Sequence, residues 1–431
     1  MEHLVSNVDV LVAGGGTAGA IAAIQAGRAG SKTAVVEMNG QLGGTLTTGG
    51  VSAPAYFWSR ERQIISGIGW ELVLQCTELD GTPLPAFKQS NPRRPSYHVG
   101  LNPRLYALLA EQAALEAGVD LYYHEIVTAI QEQGDAWTVE TVGKGQRRTI
   151  HAREVIDCTG DADLVGLLGL PRQRGDVRQP GTLIFRLGGY DPETLDMEVV
   201  QEHYEAAMSD GLLQRGDFWL GEVRPFIDFL RSKGFNGQHI FGADSSTATT
   251  QTEANILGRQ ALLRLLHFVR SLPGCEKTRI EEMCTAAAIR ETYRIVGEKT
   301  ITYQDYMAGR VYEDAVCNTL YFIDIHTEGG VEQEFVATGR VPTVPLSALV
   351  PRGSSRLLVA GRCVSSDRLA NSALRVEASC MAMGQAAGAA AALGAHRGVP
   401  SRDLPIPDIH ALLRQHGAIV PQVDLSSGEP S

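Results

Sequence analysis

Three glycines near the N-terminus have a spacing that could bind a phosphate group. Gly14, Gly16 and Gly19 satisfy GxGxxG, between an apolar run and a segment of small residues at helical spacing. In such a turn the first glycine permits a tight bend, the second lets backbone N–H groups approach a pyrophosphate, and the third lets helix and strand pack closely. The pattern predicts a dinucleotide site, and a purely structural glycine-rich turn is the alternative.

An acidic residue follows where a dinucleotide ribose would be bound. Glu37 ends the next predicted strand, and its carboxylate would accept hydrogen bonds from ribose hydroxyls and repel a 2′-phosphate, which disfavours NADP. The loop that follows, over residues 37–50, reads EMNGQLGGTLTTGG. A simple NAD-binding turn has no use for so much bare backbone and so many hydroxyls, among them those of Thr45, Thr47 and Thr48. The loop therefore favours FAD, a longer and more rigid cofactor.

Polar residues inside apolar patterns later in the chain are candidates for work on a substrate. His326 is expected to be a general base poised near neutral pH. Arg290 and Arg375 would orient an anionic or hydroxylated substrate while hydride passes to flavin N5. The alternative is a buried salt-bridge network in which Arg290 pairs with Glu291 or Asp324. Further histidine candidates are His98 and His239.

The elements that must position these residues alternate between strands and helices. Residues 8–14, 14–30 and 32–37 are expected to form a βαβ unit, and residues 102–117 a helix with Asn102 as its N-cap. The segments expected to form a β-meander are 120–124, 127–133, 137–142 and 147–150. Buried strands are expected over residues 153–161 and 356–361, and the latter is followed by a long Ala/Gly helix over residues 378–395.

These elements predict an α/β fold: a Rossmann-like FAD-binding domain, with a parallel sheet plus a β-meander, and an inserted α+β substrate domain. The cofactor domain is expected to be discontinuous, with residues 1–60, 98–175 and 345–398. Residues 61–97 and 176–344 would form the substrate or cap domain. Residues 399–431 would be a C-terminal tail, to which the sequence assigns no element.

Six segments carry a family resemblance: GGGTAG with Glu37, LGGTLTTGGV, VIDCTGDADL, AIRETYRIVGE, YFIDIH and LLVAGRCVSSDRLANSALRVEASCMAMGQAAG. Together they resemble the two-domain flavoproteins of the glutathione-reductase-like superfamily, and within it the FAD-dependent oxidoreductases. The resemblance covers nearly the whole chain. It implies that Gly361 lies by the ribityl and phosphate arm of FAD. It also implies that the helix beginning near Val376 directs its dipole toward the flavin N1–C2=O locus, and that the residues near the adenosine and pyrophosphate are Thr159, Gly160 and Asp161.

The motifs and the resemblance together define the expected cofactor site, and no metal ligand is expected. Its residues are Gly14, Gly16, Thr17, Ala18, Gly19, Glu37, Met38, Gly43, Gly44, Thr45, Thr48, Gly49, Gly50, Val127, Thr159, Gly160, Asp161, Gly361, Arg375 and Val376. The loop after Glu37 contains no cysteine pair, so dithiol chemistry is not expected. FAD is expected to be non-covalent, because no histidine lies between Glu37 and Tyr97, although His98 and Cys76 leave a route to a covalent bond.

The expected activity is removal of hydride from a C–H bond of a small polar metabolite, an alcohol, amine or saturated carbon, to flavin N5. A second GxGxxG is missing from the sequence, so an external acceptor such as oxygen, a quinone or another protein is expected to reoxidise the flavin. One alternative is a non-redox FAD-containing hydratase or isomerase. Another is a flavin subunit that needs a partner chain for turnover.

Composition narrows the classes of partner. Among the 431 residues, 38 basic and 49 acidic side chains give a net charge of −11 without long like-charged runs, which argues against nucleic acid or anionic membrane as the main partner. Seven cysteines without a CxxC pair and an N-terminus without signal-peptide features favour the cytoplasm. The Ala/Gly helix is expected to be a buried helix rather than a membrane span. An oligomer is compatible with these features.

Overall fold

The computed structural model describes residues 1–59, 62–87, 97–221 and 224–422. The strands are β1 (Glu2–Ala13), β2 (Thr33–Glu37), β3 (Asp120–Tyr123), β4 (Glu125–Gln133), β5 (Ala136–Gly143), β6 (Gln146–Asp157), β7 (Arg172–Gln173), β8 (Phe185–Gly188), β9 (Arg279–Met283), β10 (Arg294–Ile295), β11 (Ala315–Asn318), β12 (Ile323–Thr327), β13 (Gly330–Glu334), β14 (Thr343–Pro345) and β15 (Leu357–Val359). The helices are α1 (Thr17–Arg28), α2 (Ile68–Asp80), α3 (Pro103–Glu116), α4 (Asp163–Leu167), α5 (Met197–Ser209), α6 (Phe226–Arg231), α7 (Ala248–Ser271), α8 (Tyr303–Ala308), α9 (Leu346–Leu349), α10 (Arg368–Leu374), α11 (Glu377–Arg397) and α12 (Ile406–Gln415).

One mixed sheet organises the fold. Its strand order is β3-β2-β1-β6-β5-β4, and β15 also pairs with β6. Strands β3, β2, β1, β6 and β15 run parallel, whereas β4, β5 and β6 form an antiparallel meander. The predicted fold class, a Rossmann-like parallel sheet plus a meander, is confirmed.

Two details of the predicted meander are wrong. The segment 120–124 does not join it, because β3 pairs in parallel with β2 at the far edge of the sheet. The segments 147–150 and 153–161 are not separate strands but parts of one long strand, β6. The first half of β6 pairs with β5 and alternates in burial, while its last four residues are all buried between β1 and β15. Because β6 has β5 as one neighbour at its start and β15 at its end, its hydrophobic pattern changes midway, and this change resembles a break between two strands in the sequence.

Helices α1 and α11 lie face to face on the parallel sheet. A Cβ atom at Gly384 or Gly388 would clash with the backbone carbonyls of Ala18 and Ala22, so these glycines allow the two helix backbones to touch. Sixteen of the 21 residues of α11 are buried, and the prediction of a buried Ala/Gly helix is confirmed. None of the helices in the described part of the chain combines the length and the apolarity that a membrane crossing requires.

The remaining segments pack around this framework. Two hydrophobic clusters consist only of residues between 183 and 289, which lie within the segment expected to be inserted. Core residues between 301 and 350, however, pack in the same cluster as α1 and α11. The predicted division into domains stays a prediction. The C-terminal tail contains a helix, α12, which packs on α11. The His410 ring of α12 hydrogen-bonds the carbonyl of Ala315 at 2.7 Å.

Candidate cofactor and substrate site

The glycine turn leaves the start of α1 open to an anion. Gly14 has a φ of +89°, and a Cβ there would lie 2.5 Å from the carbonyl oxygen of Cys158. Gly16 is the N-cap of α1, and no side chain caps the helix. A Cβ at Gly16 would have Gly44 Cα, 3.9 Å away, as its nearest neighbour. The first backbone N–H groups of a helix have no intrahelical acceptor, so this uncapped N-terminus fits a pyrophosphate.

Glu37 is already bonded to the protein. One carboxylate oxygen accepts from Gly15 N at 2.7 Å, and the other accepts from the backbone and side-chain nitrogens of Asn39 at 2.7 and 2.6 Å. A carboxylate offers about four lone-pair sites, so these three bonds leave room for a ribose hydroxyl. Glu37 therefore orders the glycine turn in addition to the ribose contact expected of it.

The loop over residues 37–50, here called the Gly/Thr loop, packs directly on the glycine turn at residues 14–19. Gly43 N donates to Gly15 O at 2.8 Å, and the Thr17 hydroxyl donates to Gly43 O at 3.0 Å. The Thr47 hydroxyl donates to the Leu42 carbonyl at 2.7 Å, so its expected contact with the cofactor, which stays a prediction, would use the hydroxyl as an acceptor. The Thr48 hydroxyl accepts from Gln41 at 3.3 Å. The loop is thus fixed by its own hydrogen bonds, and it places glycine backbone opposite the start of α1.

The turn after β6 is also held by protein partners. The Thr159 hydroxyl donates to Asp157 at 2.7 Å. The Asp161 carboxylate binds Arg362 at 2.6 Å and also accepts from the hydroxyls of Ser245 and Thr292. The contact of Thr159, Gly160 and Asp161 with FAD stays a prediction.

The turn after β15 and the start of α11 lie near α1. Gly361 has a φ of +102°, and a Cβ there would lie 3.3 Å from the Ala18 side chain. Val376 is the N-cap of α11, and no side chain caps this helix. Two candidates do not belong to these turns or helix starts. Met38 is 67% exposed after β2, and Val127 is half-buried in β4 of the meander.

These features fit FAD. Two helix N-termini have no side-chain cap, and glycine backbone at Gly43, Gly44 and Gly361 lies beside the start of α1. The two side chains considered for a covalent bond have protein partners: Cys76 is buried, with Sγ 3.6 Å from Asn102 O, and the His98 ring lies 3.2 Å from the Tyr321 hydroxyl. Non-covalent binding stays a prediction.

A second cluster joins a carboxylate and two histidines in a chain. His326 on β12 lies with Nε2 3.0 Å from Asp324 Oδ2 and Nδ1 2.9 Å from His239 Nε2. His239 stacks on Trp219 with ring centroids 4.7 Å apart. The main-chain nitrogen of His326 donates to the side chain of Gln179, which also accepts from Arg375. All three members of the chain are buried.

The hydrogen bonds fix the tautomers of both histidines. An ionised Asp324 can only accept, so Nε2 of His326 carries the hydrogen and its Nδ1 accepts from Nε2–H of His239. In neutral His239 the remaining nitrogen, Nδ1, is then a free acceptor. Among the described residues this atom has no hydrogen-bond partner. It is also not fully buried. The open end of the chain is therefore Nδ1 of His239.

The environment keeps both rings neutral. Burial and the nearby Arg290 lower the pKa of His326 to about 4, against an opposing effect of Asp324. Burial, Arg290 and His326 lower the pKa of His239 to about 2. Burial alone would raise the pKa of Asp324, but the His326 hydrogen bond and the charges of His326 and Arg375 lower it to about 2. The expectation that His326 is poised near neutral pH is wrong, because the sequence shows neither its burial nor its cationic neighbour.

The arginines are arranged differently from the salt-bridge alternative. Arg290 is 8% exposed and donates to the carbonyl of Pro180 at 2.6 Å. Among the described residues no ion pair joins it to Glu291 or Asp324. Glu291 pairs instead with Arg368 at 3.0 Å, and Arg375 lies 3.5 Å from Asp324.

The structure brings His326, Asp324, Arg375 and His239 into one cluster. Arg290 lies beside it, because Arg290 donates to Pro180 and the preceding residue, Gln179, bonds His326 and Arg375. Sequence reasoning missed Gln179, which bridges His326 and Arg375, and Arg362, which holds Asp161. No motif marks either residue.

Comparison with known proteins identifies the family of this chain. The chain matches the family model described as FAD dependent oxidoreductase over residues 9–413. Because the match spans nearly the whole chain, the protein belongs to that family and is an FAD-dependent oxidoreductase. No curated protein matches the chain.

Solved structures provide distant likenesses. A geranylgeranyl bacteriochlorophyll reductase-like protein from Thermoplasma acidophilum is 13% identical, with 95% of this chain and 84% of that chain covered and a TM-score of 0.44. The anhydrotetracycline hydroxylase OxyS from Streptomyces rimosus is also 13% identical, with 95% and 66% covered and a TM-score of 0.41. Neither likeness is close enough to inform the reaction.

Proposed function

We propose that the protein transfers hydride from a C–H bond of a small polar metabolite to N5 of FAD, and that the cluster around His326 is its substrate site. The observation that carries this proposal is the buried Asp324–His326–His239 chain next to two arginines. A hydrogen-bonded carboxylate and histidine that end in an unprotonated ring nitrogen without a partner can accept a proton from a substrate.

The cluster adjoins both elements expected to hold the flavin. Arg375 directly precedes Val376, the N-cap of α11. On the other side, a Cβ at Gly49 would lie 3.3 Å from the side chain of Ala288, two residues before Arg290. A substrate between the arginines and His239 would thus lie beside a flavin held by the Gly/Thr loop and the start of α11.

The residues of this chain would handle the proton of the reaction. When an alcohol is oxidised, the carbon loses a hydride, which bound FAD accepts at N5, and the oxygen loses a proton. Nδ1 of His239 would take that proton. Its Nε2 proton can pass to Nδ1 of His326, and the resulting imidazolium is stabilised by the Asp324 carboxylate. His326 would then act in the middle of the chain rather than at the substrate.

Anaerobic mixing of the yellow holoprotein with metabolites tests this proposal against its alternatives. We expect at least one member of a panel of sugars, hydroxy acids, amines and polyols to bleach the flavin. A hydratase or isomerase would turn over its substrate without net bleaching. A flavin subunit would show neither effect until its partner is added.

The lowered histidine pKa values predict an unusual pH profile. A base must be unprotonated, and His326 remains neutral until the pH falls to about 4. The second-order rate constant of flavin reduction, which reports the free enzyme, should therefore be flat through neutral pH and decrease only as the pH falls through about 4. Rapid-mixing measurements across this range check it. An inflection near 6.5, the value of an ordinary histidine, would show that the cluster does not supply the base.

A further inference from the structure

The cluster contains more positive than negative charge. Arg290 and Arg375 are both cationic, and among the described residues Asp324 is the one carboxylate bonded to Arg375 or to the His326 ring. Glu291, which accepts from Gln179, is paired with Arg368. The two histidines are neutral, because burial and Arg290 hold their pKa values at about 4 and 2. A buried charge without a counter-ion is costly, so one excess positive charge here requires a specific reason.

The unbalanced charge is centred on Arg290. Its guanidinium has five N–H donors, and its one hydrogen bond in the described structure is to Pro180 O. Burial and the charge of Arg375 lower its pKa to about 9, which shows that its surroundings disfavour the cation. Arg375 has a related deficit, because its Nε is buried without a partner among the described residues.

Arg290 and the open end of the histidine chain lie on adjacent segments. Arg290 donates to Pro180, and the next residue, Gly181, exchanges two backbone hydrogen bonds with Ile240, the residue after His239. An anion on the Arg290 guanidinium would therefore lie next to His239. The other side of the anion would lie near Arg375, which directly precedes the N-cap of α11.

We propose that this subsite binds the carboxylate of the substrate, with Arg290 as its principal partner, so that the substrate is a 2-hydroxy or 2-amino carboxylate. This inference rests on the proposed function. A planar guanidinium fork matches the two oxygens of a carboxylate, and an anion supplies the missing counter-charge. The carbon next to the carboxylate would lose its hydride to FAD, and its hydroxyl or amine would lose a proton to His239.

The charge excess favours a carboxylate over a phosphate. Two arginines against one aspartate leave at most a single positive charge, which a carboxylate neutralises and a phosphate dianion exceeds. Glu377, at the start of α11, is the other carboxyl close to Arg375, and burial raises its pKa to about 7. Partial ionisation of Glu377 at neutral pH lowers the charge near Arg375 and disfavours a dianion further.

Ligand titrations of the oxidised holoprotein test the inference without turnover. Glycolate, its neutral analogue glycolamide and inorganic phosphate would each be added while the flavin absorbance is followed. We expect glycolate to perturb the spectrum with a dissociation constant at least tenfold lower than that of glycolamide or phosphate. Arg290→Met should weaken glycolate binding about ten- to a hundredfold and leave glycolamide unaffected. Arg290→Lys, which keeps the charge but loses the fork, should fall between wild type and Arg290→Met.

Arg294→Met is the matched control. Arg294 is also buried and donates to a single carbonyl, that of Ser366, but it lies on β10 outside the cluster. Its replacement should leave glycolate affinity unchanged. Equal affinity of the wild-type protein for glycolate and glycolamide would overturn the inference even if Arg290→Met did not fold, as would unaltered glycolate binding by Arg290→Met. If neutral polyols alone bleached the flavin, the proposed carboxylate subsite would be wrong and the proposed function would stand. If no metabolite bleached the flavin, the result would count against the proposed function itself.

Discussion

Gly16→Val is expected to give a folded protein that does not retain FAD. Gly16 has φ −66° and ψ −167°, which other residues adopt without strain, and a side chain there meets no atom closer than 3.9 Å from its Cβ. The added methyl groups would instead occupy the space over the first N–H groups of α1. Losing two hydrogen bonds to a charged pyrophosphate, each worth about 1.5–3 kcal/mol, should weaken FAD binding at least a hundredfold.

Fluorimetric titration of the apoprotein with FAD measures this effect. Gly100→Val is the matched control, because Gly100 is exposed, has no neighbour within 4 Å and belongs neither to the glycine turn nor to the Gly/Thr loop. The control should bind FAD normally, and both variants should unfold at temperatures close to that of the wild type. Wild-type FAD affinity in Gly16→Val would mean that the pyrophosphate does not lie at this helix N-terminus.

His326→Ala is expected to leave the protein yellow and to slow flavin reduction by about 10²–10⁴-fold, the usual contribution of a general base. The alanine removes the bridge between Asp324 and His239, so the tautomer of His239 is no longer fixed and its imidazolium is no longer stabilised. His239→Ala should have a similar effect. The double variant should be little slower than either single variant, because groups that act as a unit are not additive.

His410→Ala separates this effect from the general cost of deleting a buried histidine. His410 is also buried and makes one strong hydrogen bond, to Ala315 O, but it lies on α12. Its loss should lower stability without changing the rate of flavin reduction. If His326→Ala reduces its flavin at the wild-type rate, the chain takes no part in catalysis.

The cofactor turn was predictable from the sequence because its parts are local. The glycines, the first turn of α1 and Glu37 lie within 24 residues, and each has a conformational reason for its identity. The long strand β6 was harder to predict, since its burial pattern changes where its second neighbour changes from β5 to β15.

The substrate cluster could be predicted only as a set of unconnected residues. His326 and Asp324 are two residues apart and Arg375 was a candidate, but His239 joins His326 across 87 positions of the chain. No periodicity encodes such a contact. The pKa of His326 was predicted wrongly for the same reason, because burial and the proximity of Arg290 result from tertiary packing. The domain boundaries and the roles of the individual FAD-binding residues stay predictions.

The most direct measurement is a crystal structure of the holoprotein with FAD bound. It tests whether the glycine turn and the histidine–arginine cluster serve one cofactor. We expect the pyrophosphate at the N–H groups that begin α1, the N1–C2=O edge of the flavin at the start of α11, and N5 facing the space between Arg290 and Nδ1 of His239. A flavin whose N5 faces away from that space, with other side chains between it and His239, would contradict the account.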